Sequence, residues 1–303
     1  MNSPKAILIS SVRSFWHGLW LSMMQQLAPS DAEGAYQRSD SQFRETIEGY
    51  GEPGRYHLYV GMSCPWAHRT LIVRALKGLE DSIALTILLP NASTGGWVFE
   101  KAHQNCSTLA QFYRLNKPQY RGKSSVPLLW DSWQNKIVNN ESSEIIKLFN
   151  CQFQGSPDSV DLYPASLVPE IERWNAKIYP AINNGVYLCG FARTQKAYES
   201  ACRDIFQVLD EIELVLRDQR YLCRENLTLA DIRLFTTLFR FDAVYYGLFK
   251  CSIKRITDYP QLSRYLDDIY NLPGVAKTCD LEQVKKDYYG QLFPLNPSGI
   301  VPL

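Results

Sequence analysis

Apolar and polar positions alternate over RYHLYVGM, residues 55–62, and the β-branched and aromatic side chains there give the period of two expected of a strand. Directly after it, PWAHRTLIVRALKGL is apolar at helical spacing, with Pro65 in the first turn, where a missing N–H costs nothing. SIALTILLP, residues 82–90, is an unbroken apolar run and predicts a strand buried on both faces of a parallel sheet. Together the three segments make a βαβ unit. Residues 91–123, rich in Gly, Asn and Gln with scattered aromatics, are too long for a bare connection and read as a functional or partly helical insertion. VPLLW (126–130) and KIVN (136–139) then flank the polar turn DSWQN, and in ESSEIIKLFN the residues Ile145, Ile146 and Phe149 share one helical face.

From Cys151 to Pro164 the composition shifts to Gln, Gly, Ser, Pro and Asp, the signature of a linker. Beyond it, apolar residues recur at three- and four-residue spacing over 168–183, 195–218, 228–247 and 258–271, so the second domain is expected to be all-α. The expected division is an extension at 1–45, an α/β domain at 46–150 with an insertion at 91–123, and a helical domain at 151–303. Within the extension, AILISSVRSFWHGLWLSMM (6–24) is interrupted by Arg13 and His17 and followed by no small-residue cleavage site. It predicts a segment packed on the folded body rather than a signal or an anchor.

A chain of 303 residues, 46% hydrophobic and 21% charged, is long enough for two globular cores. Lys and Arg number 32 against 31 Asp and Glu, a balance that gives no field for a nucleic-acid backbone or an anionic membrane. Small molecules or proteins are the expected partners. The eight cysteines, at 64, 106, 151, 189, 202, 223, 251 and 279, form neither a C-x-x-C nor a cluster at metal-ligand spacing. They read as reduced cytoplasmic thiols, seven of them small core residues, and no metal site is expected.

Cys64 stands apart because the first turn of a helix offers unpaired N–H groups that stabilise negative charge on sulfur. Three readings compete for it: nucleophile, half of a broken disulfide motif, or small buried residue. Position 67 is alanine, so no internal disulfide closes, and a thiolate there is expected to form mixed disulfides with a small thiol. Pro127 opens a strand and is either cis, turning the Val126 backbone toward a peptide-like ligand, or an ordinary trans edge proline. Glu141 and Ser142 precede a helix and read either as a plain cap or as a site for an amino-acid head group. Thr228 and Asp231 form a capping box of structural character. The tyrosines of YYG (245–247) and DYYG (287–290) fit core or site equally.

These blocks resemble the Xi-class glutathione transferases, the glutathionyl-hydroquinone reductases. The likeness runs through RYHLYVGMSCPWAHRTLIVRALKGLE, the GGWVF of 95–99, VPLLWD, IVNNESSEII, NNGVYLCGFARTQKAYE, LTLADIRLFTTLFRFDAVYYGLFKC and DYPQLSRYLDDIYNLPGVAKT. It implies glutathione transferase architecture, a thioredoxin-like domain followed by an all-helical one. It implies that Cys64 in the C-P-W-A box is the nucleophile, that Trp97 packs on glutathione, that Val126 beside Pro127 pairs with its cysteinyl backbone, and that Glu141 with Ser142 takes the γ-glutamyl end. Tyr198 and Tyr288 would line the aromatic acceptor site. Glutathione is then co-substrate, glutathionyl-hydroquinones are the substrates, and a homodimer is implied, with the aromatic FRFDAVYYGLFKC face as its candidate contact. An omega-like thioltransferase or dehydroascorbate reductase, and a non-catalytic binding protein of the same fold, are the alternatives. Two departures stand out: Asp287–Leu292 replaces a histidine before the tyrosine pair and a Ser-His after it, and SSVP replaces a more usual basic residue and threonine.

Overall fold

In the computed structural model, which describes residues 4–91 and 96–303, the first domain is built on strand β1 (Tyr56–Val60). Helix α2 (Pro65–Leu76) follows it and is buried from Pro65 to Val73. Strand β2 (Ile83–Ile87) returns parallel to β1, pairing Tyr56 with Ile83 and Val60 with Ile87. Strands β6 (Leu128–Asp131) and β7 (Lys136–Asn139) complete a four-stranded sheet in the order β2-β1-β6-β7, both pairings antiparallel. Asp131 closes this hairpin, its Oδ1 accepting from the amides of Trp133 and Gln134 at 3.0 Å each, while its Oδ2 accepts from Arg55 directly before β1. Helix α4 (Ser142–Cys151) then packs beside α2. This is the thioredoxin-like order expected from the resemblance.

Two expectations change. The run at 82–90 is not one strand buried on both faces, because β2 is the sheet's edge strand and Ile87 is exposed. After Leu88 the chain leaves that sheet as β3 (Leu89–Asn91), in a second antiparallel sheet with β4 (Gly96–His103) and β5 (Cys106–Thr108). A hydrophobic run reports apolarity, not the number of covered faces. The expected insertion is partly helical, as read, but also holds an unpredicted hairpin, turned at Gln104 and Asn105 with φ of 46° and 60°. Gly95 lies outside the described residues. A Thr108–Gln111 capping box next opens α3 (Leu109–Asn116), which buries Phe112 and Tyr113.

The second domain is helical, with α5 (Val168–Ile178), α6 (Gly185–Gly190), α7 (Gln195–Val215), α8 (Leu229–Arg240), α9 (Pro260–Tyr270) and α10 (Leu281–Gln291). Helices α5 and α8 each run into a π-helical turn, Tyr179–Asn183 and Phe241–Tyr245, the kind of irregularity that often serves a site. The face expected to make a dimer contact is instead core: Phe241, Val244, Tyr245 and Phe249 are all buried within the chain. Helix α1 (Pro4–Leu27) also differs from expectation. Every described side chain from residue 8 to 19 is exposed, and only its end docks, through buried Met24 and a Trp20 Nε1 bond to the Pro294 carbonyl at 2.9 Å.

Candidate active site

Cys64 ends the loop after β1 and is the N-cap of α2, with extended backbone at φ −74° and ψ 117°. Its carbonyl accepts the first helical bond, from the His68 amide at 3.0 Å, and no side chain caps the helix start. The half-buried thiol thus sits at the positive end of a helix. It donates to the Val126 carbonyl at 3.5 Å, and the Val126–Pro127 bond is cis. The loop itself is clamped from the second domain: buried Arg240 donates to the Met62 and Ser63 carbonyls at 3.1 Å each, and to His68 Nδ1 at 2.9 Å. Ala67 stands where a resolving thiol would, and all eight cysteines are free.

Beside α2 the chain supplies a capping carboxylate and several cations. Glu141 caps α4, accepting from the Ser143 amide at 3.1 Å, the Ser143 hydroxyl at 3.0 Å and the Ser41 hydroxyl at 3.0 Å. Burial pushes its carboxyl up, but those donors and the Arg69 guanidinium outweigh it and hold Glu141 below the ordinary range. Ser142 accepts from buried Arg69 at 3.3 Å, and Arg69 also donates to Asn183 Oδ1 at 2.7 Å. Arg38 and Arg69 both lie over the Trp66 ring, at 3.8 and 4.5 Å. The Lys123 chain is exposed, yet crowding round its ammonium and then Arg38 draw it below the usual lysine range, opposed by Cys64. Trp97 of β4 lies directly on the loop: a Cβ at Gly61 would come within 2.1 Å of its ring.

On the helical side three tyrosine hydroxyls meet. Tyr288 of α10 is 2.6 Å from Tyr187 of α6 and 3.1 Å from Tyr245. Burial raises all three well above or above the ordinary phenol value, so each holds its proton at neutral pH. Tyr187 also stacks near Trp66, with centroids 6.4 Å apart at 25°, which brings the hydroxyl cluster to the helix that begins at Cys64. The site therefore joins a thiol at a helix tip, a charged cradle suited to a zwitterionic ligand with excess carboxylate, and a group of neutral proton donors.

The N-terminal-domain profile of the glutathione S-transferases matches residues 63–152, and the C-terminal-domain profile matches residues 195–268. The chain is 46% identical over 284 residues to glutathionyl-hydroquinone reductase PcpF of Sphingobium chlorophenolicum, covering 89% of this chain and 90% of that one. It is similar to the glutathione transferase Xi structure from Phanerochaete chrysosporium, with a TM-score of 0.87 and 43% identity over 90% of this chain and 94% of that one. This chain belongs to the Xi-class glutathione transferases. A second similar structure is the glutathione-bound form of YqjG, a glutathione transferase homolog from Escherichia coli K-12, at TM-score 0.80 and 41% identity, covering 90% of each chain.

In this Xi-class transferase Trp97, Val126 and Pro127 meet the loop that ends at Cys64, whereas Glu141 and Ser142 stand at the start of α4 and reach α2 through Arg69. Tyr288 reaches the hydroxyl cluster, whereas Tyr198 does not: its hydroxyl donates to the Lys250 carbonyl at 2.9 Å beside Cys202 and Cys189. Burial first, then those thiols, push Tyr198 up to about 12. Sequence reasoning missed Tyr187, Arg38, Arg69, Arg240 and Lys123. Tyr187 lies in the NNGVY run, which carries no chemical signal of its own; Arg69 and Arg240 carried none either, because buried cations are rare and unmarked by any pattern. Cys151 is exposed rather than core, being the last residue of α4. Among the described residues no group of three or more His, Cys, Asp or Glu is placed to hold a metal, and no helix is long and apolar enough to cross a membrane.

Proposed function

We propose that this chain reduces glutathionyl-hydroquinones to hydroquinones at the expense of glutathione, with Cys64 as nucleophile. The single observation that carries the reading is the solitary thiol at the tip of α2, facing the Val126 carbonyl and lacking a partner at Ala67. The Cys64 thiolate attacks the sulfur of the thioether, a sulfur–sulfur bond forms, and the sulfur–carbon bond breaks with its electron pair moving to the ring carbon. Tyr288 gives that carbon its proton, and Tyr187 and Tyr245 steady the phenolate left behind. A second glutathione thiolate then attacks the mixed disulfide, releasing oxidised glutathione and regenerating Cys64.

Glutathione is placed by the side chains around the loop. Glu141 and Ser142 receive its γ-glutamyl end, the Val126 backbone beside Pro127 pairs with its cysteinyl unit, and Trp97 covers it. Arg38 and Lys123, absent from the sequence expectations, supply positive charge for its remaining carboxylate. Eight free thiols support a reducing, cytoplasmic setting. A homodimer is retained from the family resemblance, on a face other than the buried 239–251 segment. Mass spectrometry after exposure to a glutathionyl-hydroquinone, with no glutathione added, is expected to find one glutathione adduct, on Cys64. Cys64→Ala is expected to form no adduct and to lose turnover by at least about 10³-fold; a variant that kept turning over would end the proposal.

A further inference from the structure

We infer that Ser41 is a positioning residue that aims the Glu141 carboxylate at the γ-glutamyl ammonium of glutathione, and so sets the preference of the site for a γ-glutamyl thiol. The inference rests on the placement of glutathione proposed above and extends it to the segment before β1. Residues 34–47 run as a strap from the helical domain to the edge of the first sheet. Gly34 lies against Thr194, and its carbonyl accepts from the Arg193 amide at 3.0 Å. Arg38 crosses the Trp66 ring. Residues 43–45 then pair along β7, the last strand of the sheet: the Asn140 amide donates to the Phe43 carbonyl at 2.9 Å, and the Glu45 amide to the Val138 carbonyl at 3.0 Å. Ser41 stands between these anchors.

An ionised carboxylate has about four acceptor directions, two on each oxygen. At Glu141 the Ser143 amide and hydroxyl both donate to Oε1, at 3.1 and 3.0 Å, and the Ser41 hydroxyl donates to Oε2 at 3.0 Å. Ser41 has a single proton and a second acceptor in reach, the Asn140 carbonyl at 3.3 Å; the shorter contact, to a charged oxygen, holds it. The two Ser143 bonds are those of a helix cap and would form in any α4 that begins this way. The Ser41 bond comes from 100 residues away in the chain and leaves one direction open on Oε2. An arriving ammonium then has one place to bond, and the strap, not the helix, decides its orientation. Without the Ser41 hydroxyl that oxygen must be ordered when the ligand binds, which lowers affinity for the ligand end that carries the ammonium.

The test compares adduct formation on Cys64 from oxidised glutathione and from the disulfide of cysteinylglycine, which lacks both γ-glutamyl units. Each is a thiol–disulfide exchange in which a sulfur–sulfur bond to Cys64 forms, the old one breaks and a thiolate leaves. Wild type is expected to favour oxidised glutathione. Ser41→Ala is expected to raise the half-saturating concentration of oxidised glutathione about tenfold at an unchanged limiting rate, and to leave the cysteinylglycine reaction within about twofold. Ser41→Thr, which keeps a hydroxyl, is expected to recover most of that loss. Glu45→Ala, which removes the strap's exposed ion pair with Lys136 but no group at the carboxylate, is expected to match wild type on both. An unchanged Ser41→Ala, or an equal loss on both disulfides, would overturn the inference. A wild type with no preference for oxidised glutathione would remove the γ-glutamyl placement at Glu141 and the inference with it. A wild type inert toward a glutathionyl-hydroquinone, yet showing the preference and its loss in Ser41→Ala, would end the reductase reading alone and uphold the inference.

Discussion

An added methyl at Gly61 would stand 2.1 Å from Cζ3 and 2.2 Å from Cη2 of Trp97, far inside van der Waals contact. Either the indole or the loop ahead of Cys64 must then move, at a cost of roughly 1–3 kcal/mol typical of overpacking. Gly61→Ala is expected to raise the KM for glutathione about tenfold, with a shift in tryptophan emission; unchanged KM and emission would show that Trp97 does not depend on this gap. At this scale the sequence is most informative where residue type and element boundary coincide. Cys64 and Glu141 are legible as helix-start residues because Pro65 and the Ser-Ser-Glu run announce those starts. Tyr187 and Tyr198 are harder to separate, since both lie in the run NNGVYLCGFARTQKAYE on consecutive helices. Only the packed fold turns the first toward Tyr288 and the second toward Lys250.

The periods of α5, α7, α8 and α9 and the cap of α8 are legible in the chain, whereas α6, α10, the strand that closes an edge and the hairpin at 96–108 are not. Periodicity reports a residue's own spacing, but an edge is defined by the absence of a neighbour, and β4 carries polar residues that fit strand or loop. The start of α8 shows a cap whose consequences exceed its sequence signature. Asp231 is fully buried and accepts from the amides of Leu222 and Thr228 and the hydroxyls of Thr228 and Tyr265. Burial still dominates and raises its carboxyl from 3.8 to about 6. A carboxyl raised on folding binds a proton in the native state before the unfolded one, so its contribution improves as pH falls from about 6 toward 4. The stability gap between wild type and Asp231→Asn, measured by urea unfolding, is therefore expected to widen between pH 7 and pH 4. An unchanged gap would mean the carboxyl ionises in the fold as easily as in the open chain, and a narrowing one that it ionises more easily there.

Across the molecule, the described side chains of α1 from residue 8 to 19 are exposed. Removing residues 1–19 leaves Trp20, its bond to Pro294 and buried Met24 in place. The truncated protein is expected to melt within about 3 °C of the full chain, and a larger drop in calorimetry would reveal packing by α1. The two domains are instead joined by buried arginines, Arg69 reaching from α2 to Asn183 and Arg240 from α8 to the loop before Cys64. The second of these has a chemical consequence. Arg240 has only protons to offer, so the lone pair of His68 Nδ1 is engaged and the ring's single hydrogen must reside on Nε2, pointed at Thr278 Oγ1 3.0 Å away. Burial, then Arg240, also keeps that imidazole neutral. The tautomer is thus locked, and the histidine one helical turn past the nucleophile has no free basic nitrogen with which to deprotonate it.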